Sequence, residues 1–164
     1  MGRLSEYDPL HDYLQHYIQP QIDGASGNST YRVFRLNASN DVYLYEDRNT
    51  GSKVIGKFFL SSRKKNAIKA ASRLTREVDN LRMMRDSGLT GYPHDVVRPL
   101  GQNHLMNALL VTECGEGELL SKVRLEAIRS GDHGKLYNKL TSLAYFLSSS
   151  LSTTPGISRD LNSS

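Results

Sequence analysis

The chain has 164 residues, a net charge of +4 and one cysteine, enough for one modest domain or a lobe and a half, and too few thiols for an intrachain disulfide or a multi-cysteine metal site. Its mean hydropathy is −0.49, no apolar run approaches the roughly 18 residues of a membrane span, and residues 1–20, with Glu6, Asp8 and Asp12, lack the apolar heart of an export signal. A cytoplasmic protein without a membrane partner is expected.

Residues 4–18 place Leu10, Tyr13, Leu14, Tyr17 and Ile18 at helical spacing, and Pro20 limits the continuation. Residues 23–30 (DGASGNST) read as a linker, so this helix is expected to be an appendage to the body of the chain. The core pattern starts at Tyr31. Residues 31–36 and 42–46 read as strands joined by the turn-rich Asn37-Ala38-Ser39-Asn40-Asp41, and Arg48-Asn49-Thr50-Gly51 turns the chain into a third strand over 53–60. A long helix is predicted over 64–87, its apolar face formed by Ile68, Ala71, Leu74, Val78, Leu81 and Met84, with Ser87-Gly88 as its stop. Residues 96–100 and 108–112 predict two further strands around a joint at 101–107. A glycine-bearing connector at 113–117 leads to helices over 119–129 and 135–151, and a small, polar tail begins at 152. The fold class is therefore α+β: a five-stranded antiparallel sheet with one long helix, a connector, and two more helices.

Lys57 is the residue with the most chemistry in its setting. It interrupts the apolar run Val54-Ile55-Gly56-Lys57-Phe58-Phe59-Leu60, and strand alternation puts it on one face with Ile55 and Phe59. An inward ammonium is costly unless a carboxylate or phosphate meets it. Glu77, twenty positions on and beside the predicted helix stripe, is the candidate partner. The competing assignments are an edge-strand lysine that discourages aggregation for Lys57, and a surface pair with Arg73 for Glu77.

Residues 31–152 resemble the protein-kinase-like superfamily: its small lobe, hinge and first large-lobe helices. Val54-Ile55-Gly56-Lys57 resembles the family's V-A-I-K strand, which implies that Lys57 contacts nucleotide phosphates; Arg76-Glu77-Val78 resembles the centre of the helix that supplies its glutamate partner. Leu109-Leu110-Val111-Thr112-Glu113-Cys114-Gly115 resembles the last small-lobe strand and the hinge, which implies Thr112 at the back of an adenine pocket, backbone groups of Glu113 and Gly115 at the adenine edge, and Val42 and Leu110 as apolar walls. The glycine-rich phosphate turn is missing. Asn37-Ala38-Ser39-Asn40-Asp41-Val42-Tyr43 resembles instead the Ser-Asn-x-Val-Tyr stretch of the aminoglycoside-phosphotransferase and choline-kinase branch, implying side-chain donors Ser39 and Asn40 on the phosphates.

The resemblance divides the chain into an N-terminal helix and linker (1–30), a small lobe (31–112), a hinge (113–117) and the start of a large lobe with a flexible tail (118–164). It implies ATP with Mg2+ as cofactors and a hydroxyl-bearing acceptor, a small molecule or a protein. Ser158-Arg159-Asp160-Leu161-Asn162 resembles the opening of H-R-D-L-x-x-x-N with serine for histidine, making Asp160 the candidate catalytic base. Protein ligands for magnesium are not visible, so the chain alone is expected to be inactive and its parent an ATP-dependent phosphotransferase.

Two other assignments remain open. The same lobe could serve as a non-catalytic partner-binding or regulatory module. Arg63, Lys64, Lys65, Lys69, Arg73 and Arg76 form either a solvated helix face, the preferred reading, or a patch for nucleic acid. His11, His16, His94, His104 and His133 lack zinc-ligand spacing.

Overall fold

The alternating segments pair as an antiparallel sheet. The computed structural model describes residues 2–22, 27–38, 41–60, 66–91, 94–115, 117 and 120–152. The chain divides into two compact units, Met1–Asp86 with Val96–Gly115, and Ser87–Asp95 with Glu116–Ser164.

In the first unit the strands are β1 (Gly2–Arg3), β2 (Tyr31–Leu36), β3 (Asp41–Asp47), β4 (Lys53–Phe58), β5 (Pro99–Asn103) and β6 (Leu109–Glu113), arranged β1-β2-β3-β4-β6-β5. The class is α+β with an antiparallel sheet, as expected, but the sheet has six strands rather than five. Gly2 and Arg3 pair with Val33 and Arg32, a contribution too short to leave a period in the sequence. The hairpin between β3 and β4 closes where the Arg48–Gly51 signal predicted. Gly51 takes a φ of 76°, and its N–H donates to the Asp47 carbonyl at 2.9 Å. The buried Asp47 carboxylate accepts from Thr30 N, Asn49 N and Thr50 Oγ1 at 3.1, 3.2 and 3.1 Å. The strand expected at 96–100 begins instead at Pro99 and runs on to Asn103; a bulge between Pro99 and Gly101 shifts its register on β6. Pro99 is tolerated there because β5 is an edge strand and its missing N–H breaks no ladder.

Both faces of the sheet carry a packed helical layer, one of them over only part of its width. On one lies the N-terminal segment: α1 (Pro9–Tyr13) runs into a π-helical turn over Leu14–Ile18 and a 3-10 turn over Gln19–Gln21. Asp8 caps it by accepting from Leu10 N at 2.9 Å, and Pro9 fills the first helical position. Leu10, Leu14 and Ile18 are buried with Tyr31, Tyr45, Val54, Leu100, Leu109 and Val111. The segment expected as an appendage is thus one wall of the principal core. Its helical period announced an apolar face but not what would meet it.

On the other face lies α2 (Ala67–Asp86), packed on β5 and β6. Ala70, Leu74 and Val78 are buried with Phe59, Ala108 and Leu110. Ile68, expected on this stripe, is 83% exposed, so the buried row starts at Ala70, one and then two turns before Leu74 and Val78 at near-integral spacing.

The second unit holds a two-residue ladder of Thr90–Gly91 with His94–Asp95, α3 (Leu120–Ser130) and α4 (Gly134–Ser152), close to the helices predicted at 119–129 and 135–151. Val123 and Ala127 of α3 are buried. Leu140, Leu143 and Leu147 of α4 are exposed at 41, 41 and 50%. No helix among the described residues is long and apolar enough to cross a membrane.

Candidate functional site

Register fixes the position of Lys57. It pairs with Val42 on one side and Leu110 on the other, in the middle of the sheet, so it is not an edge-strand residue. Its neighbours Gly56 and Phe58 point to the face covered by the N-terminal segment, where Phe58 packs. Lys57 therefore points to the face that α2 shares with Leu110. Position 56 has to be small: an ideal Cβ there would lie 2.7 Å from Tyr45 Cε2 and 3.5 Å from Leu109 Cδ1.

On α2 the buried row of Leu74 and Val78 brings Glu77, one residue before Val78, to the border of the packed stripe. Its oxygens lie 2.5 and 2.7 Å from Lys57 Nζ, and the two side chains are 35 and 25% exposed. Glu77 therefore faces the sheet and not Arg73. The ammonium also sits 4.9 Å from the centroid of the Phe59 ring. Phe59 is held by the loop before β6: Phe59 N and Leu60 N donate to the carbonyls of Ala108 and Asn107 at 3.2 and 3.0 Å. Those two residues have φ of 51° and 53°, a left-handed pair that turns both carbonyls back onto the end of β4.

A cleft of about 750 Å³ opens beside this pair, lined by Phe59, Arg73, Arg76, Glu77, Asn80, Leu81 and Met84. That volume is in the range of small-molecule sites. Between Lys57 and the end of β2 at Leu36 the same sheet face carries Phe34, Leu36, Val42, Leu44 and Ile55, none of them buried. Further along, it becomes charged: Arg32, Glu46 and Lys53 form a cross-strand row, with Glu46 oxygens 3.3 Å from Arg32 Nε and 3.7 Å from Lys53 Nζ.

Val42, Leu110 and Thr112 lie on the face of Lys57, with Leu110 and Thr112 buried. Glu113 is tied to its own surroundings. Its N–H donates to the Arg98 carbonyl at 3.1 Å, and its carboxylate accepts from Arg98 N at 2.6 Å and lies 3.6 Å from Arg85 and 3.7 Å from the Arg98 side chain. Gly115 is exposed, and a Cβ on it would come within 2.9 Å of Val97 Cγ1. Ser39, Asn40 and Asp160 lie outside the described residues, as do Arg63, Lys64 and Lys65.

Sequence reasoning missed Arg85, in the last turn of α2. Its guanidinium donates to the Val96 carbonyl and stands beside Glu113, linking the helix to the end of β6. A basic residue in a last helical turn was the one signal for it. No group of three His, Cys, Asp or Glu side chains among the described residues is arranged to hold a metal ion. Comparison with protein-family models, with curated proteins and with solved structures finds no match.

Proposed function

We propose that the first unit is the nucleotide-binding lobe of a kinase-like phosphotransferase, which would move the γ-phosphoryl group of ATP to a hydroxyl acceptor. The observation that carries this reading is the Lys57–Glu77 pair, a central-strand ammonium held by a helical carboxylate on a half-open apolar sheet face. A lysine fixed in this way is a ready contact for phosphate oxygens, because its position is set before the ligand arrives. Val42, Ile55, Leu110 and Thr112 would meet the faces of an adenine ring, and the 113–115 backbone its edge, through groups other than the Glu113 N–H. Ser39 and Asn40 would act on the phosphates, and Asp160 as the base. Magnesium would neutralise phosphate charge, with ligands other than a cluster of the described residues.

Isothermal titration of Mg-ATP is the test. Saturable binding that weakens at least about tenfold in Lys57→Ala, in a variant that still unfolds cooperatively, is the expected result; equal affinity in the variant ends the reading.

One observation favours a second reading, a non-catalytic module that binds a partner. Leu136, Leu140, Leu143 and Leu147 recur along α4 at spacings of four, three and four, and the last three are exposed. Such a stripe suits helix-on-helix docking. A stable complex in the absence of any nucleotide binding would favour it.

A further inference from the structure

Arg73 and Arg76 line the cleft and are exposed. Among the described residues neither guanidinium reaches a carboxylate. Glu77, the acid nearest to both in sequence, gives its two oxygens to Lys57. Its charge is thereby answered from the sheet side, and the wall of the cleft keeps two positive charges without an internal counter-charge. Asn80, one helical turn beyond Arg76, adds a side-chain amide to the same lining. The remainder of the lining is apolar: Phe59, Leu81 and Met84. The cleft therefore combines a forked cationic rim with an apolar wall.

We propose that this cleft binds a small anion carrying a compact apolar body, of the aryl or alkyl phosphomonoester class. Arg73 and Arg76 hold the phosphate, with Asn80 donating to it, and Phe59, Leu81 and Met84 cover the apolar part. Guanidinium forks match phosphate oxygens in geometry as well as charge. A cleft of about 750 Å³ accommodates such a molecule whole, and inorganic phosphate alone would leave the apolar lining uncovered. The site goes beyond the nucleotide reading and uses different cations: the nucleotide is assigned to Lys57, this ligand to the two arginines.

The test is a titration of phenyl phosphate into the full chain, monitored by chemical-shift perturbation, with inorganic phosphate and benzyl alcohol as its two halves. Phenyl phosphate is expected to bind at least about tenfold more tightly than either half. Arg73→Gln with Arg76→Gln is expected to weaken it by about tenfold or more. Leu81→Asn is expected to weaken phenyl phosphate while leaving inorganic phosphate unchanged. The arginines are exposed, so their double variant folds; matching melting curves verify this. Undiminished affinity in the double variant, inorganic phosphate binding as tightly as phenyl phosphate, or no saturable binding each overturn the proposal. Mg-ATP is titrated in parallel into the unaltered chain. Loss of the ATP result alone removes the nucleotide reading and leaves this one standing, and loss of the phenyl phosphate result alone does the reverse.

Discussion

Lys57 Nζ lies 2.5 and 2.7 Å from the two oxygens of Glu77, a contact made across the boundary between strand β4 and helix α2. Both side chains retain some solvent, at 25 and 35% exposure, so the attraction is screened and its worth is well below that of a dry ion pair. A double-mutant cycle with Lys57→Met and Glu77→Gln is expected to give a coupling of about 1 kcal/mol in urea unfolding, shrinking as salt is added. A coupling indistinguishable from zero at low salt means that the pair does not hold the helix to the sheet.

Gly56 and Tyr45 set a stricter limit on the same strand. A Cβ at position 56 would stand 2.7 Å from the Tyr45 ring, and that ring is buried in the principal core with only 3% exposure. The ring cannot swing into solvent, so Gly56→Ala must shift β3 or β4. The expected cost is about 1–3 kcal/mol, read as a lower urea midpoint at unchanged slope. A variant as stable as the parent chain rules out this packing.

Tyr45 also gives the stability a pH dependence. Burial pushes its phenol well above the ordinary value of 10.0, and the nearby Tyr43 and Asp8 add repulsion for the ionised form; burial raises Tyr13 as well. Below the unfolded value neither state ionises these groups, and stability is unaffected by them. Above it the unfolded chain releases protons that the folded chain retains, so the unfolded state binds fewer protons and stability falls as pH rises. Urea midpoints are expected to decline from about pH 10 upward. Tyr45→Phe is expected to make that decline shallower, and an equal slope in both proteins removes Tyr45 as its source.

The parts of the architecture legible in the sequence are those with a local period. Lys57 and Glu77 could be matched because strand alternation and the helix stripe each report a face, and twenty residues of separation suit one strand, one turn and half a helix. The start of the α2 stripe was misread because Ile68 and Ala70 are both apolar and within two residues of each other. Only the closeness of the sheet selects the smaller side chain. β1 has two residues and no period at all. The tie between Arg85 and Glu113 depends on where α2 ends in space, which no local pattern records.

The N-terminal segment shows the same limit more sharply, because its period was visible and its partner was not. Leu14 and Ile18 are each 1% exposed, and both belong to the cluster that holds Tyr31, Tyr45 and Val111. Further contacts fix the segment's register on the sheet. The Tyr13 hydroxyl donates to the Gln102 carbonyl at 3.3 Å, and Gln21 Nε2 donates to the Leu100 carbonyl at 2.8 Å. Gly101 leaves the room: a Cβ there would fall 2.5 Å from Tyr13 Oη and 2.8 Å from Ile18 Cδ1. Leu14→Ala and Ile18→Ala are each expected to destabilise the first unit by about 2–5 kcal/mol, and Gly101→Ala by about 1–3 kcal/mol. An appendage would give a different result, with all three variants unfolding at the parent urea midpoint. Amide exchange adds a second reading: Leu109 and Val111, which the segment covers, should lose protection in Ile18→Ala together with residues 14–18, because one packed layer opens as one unit.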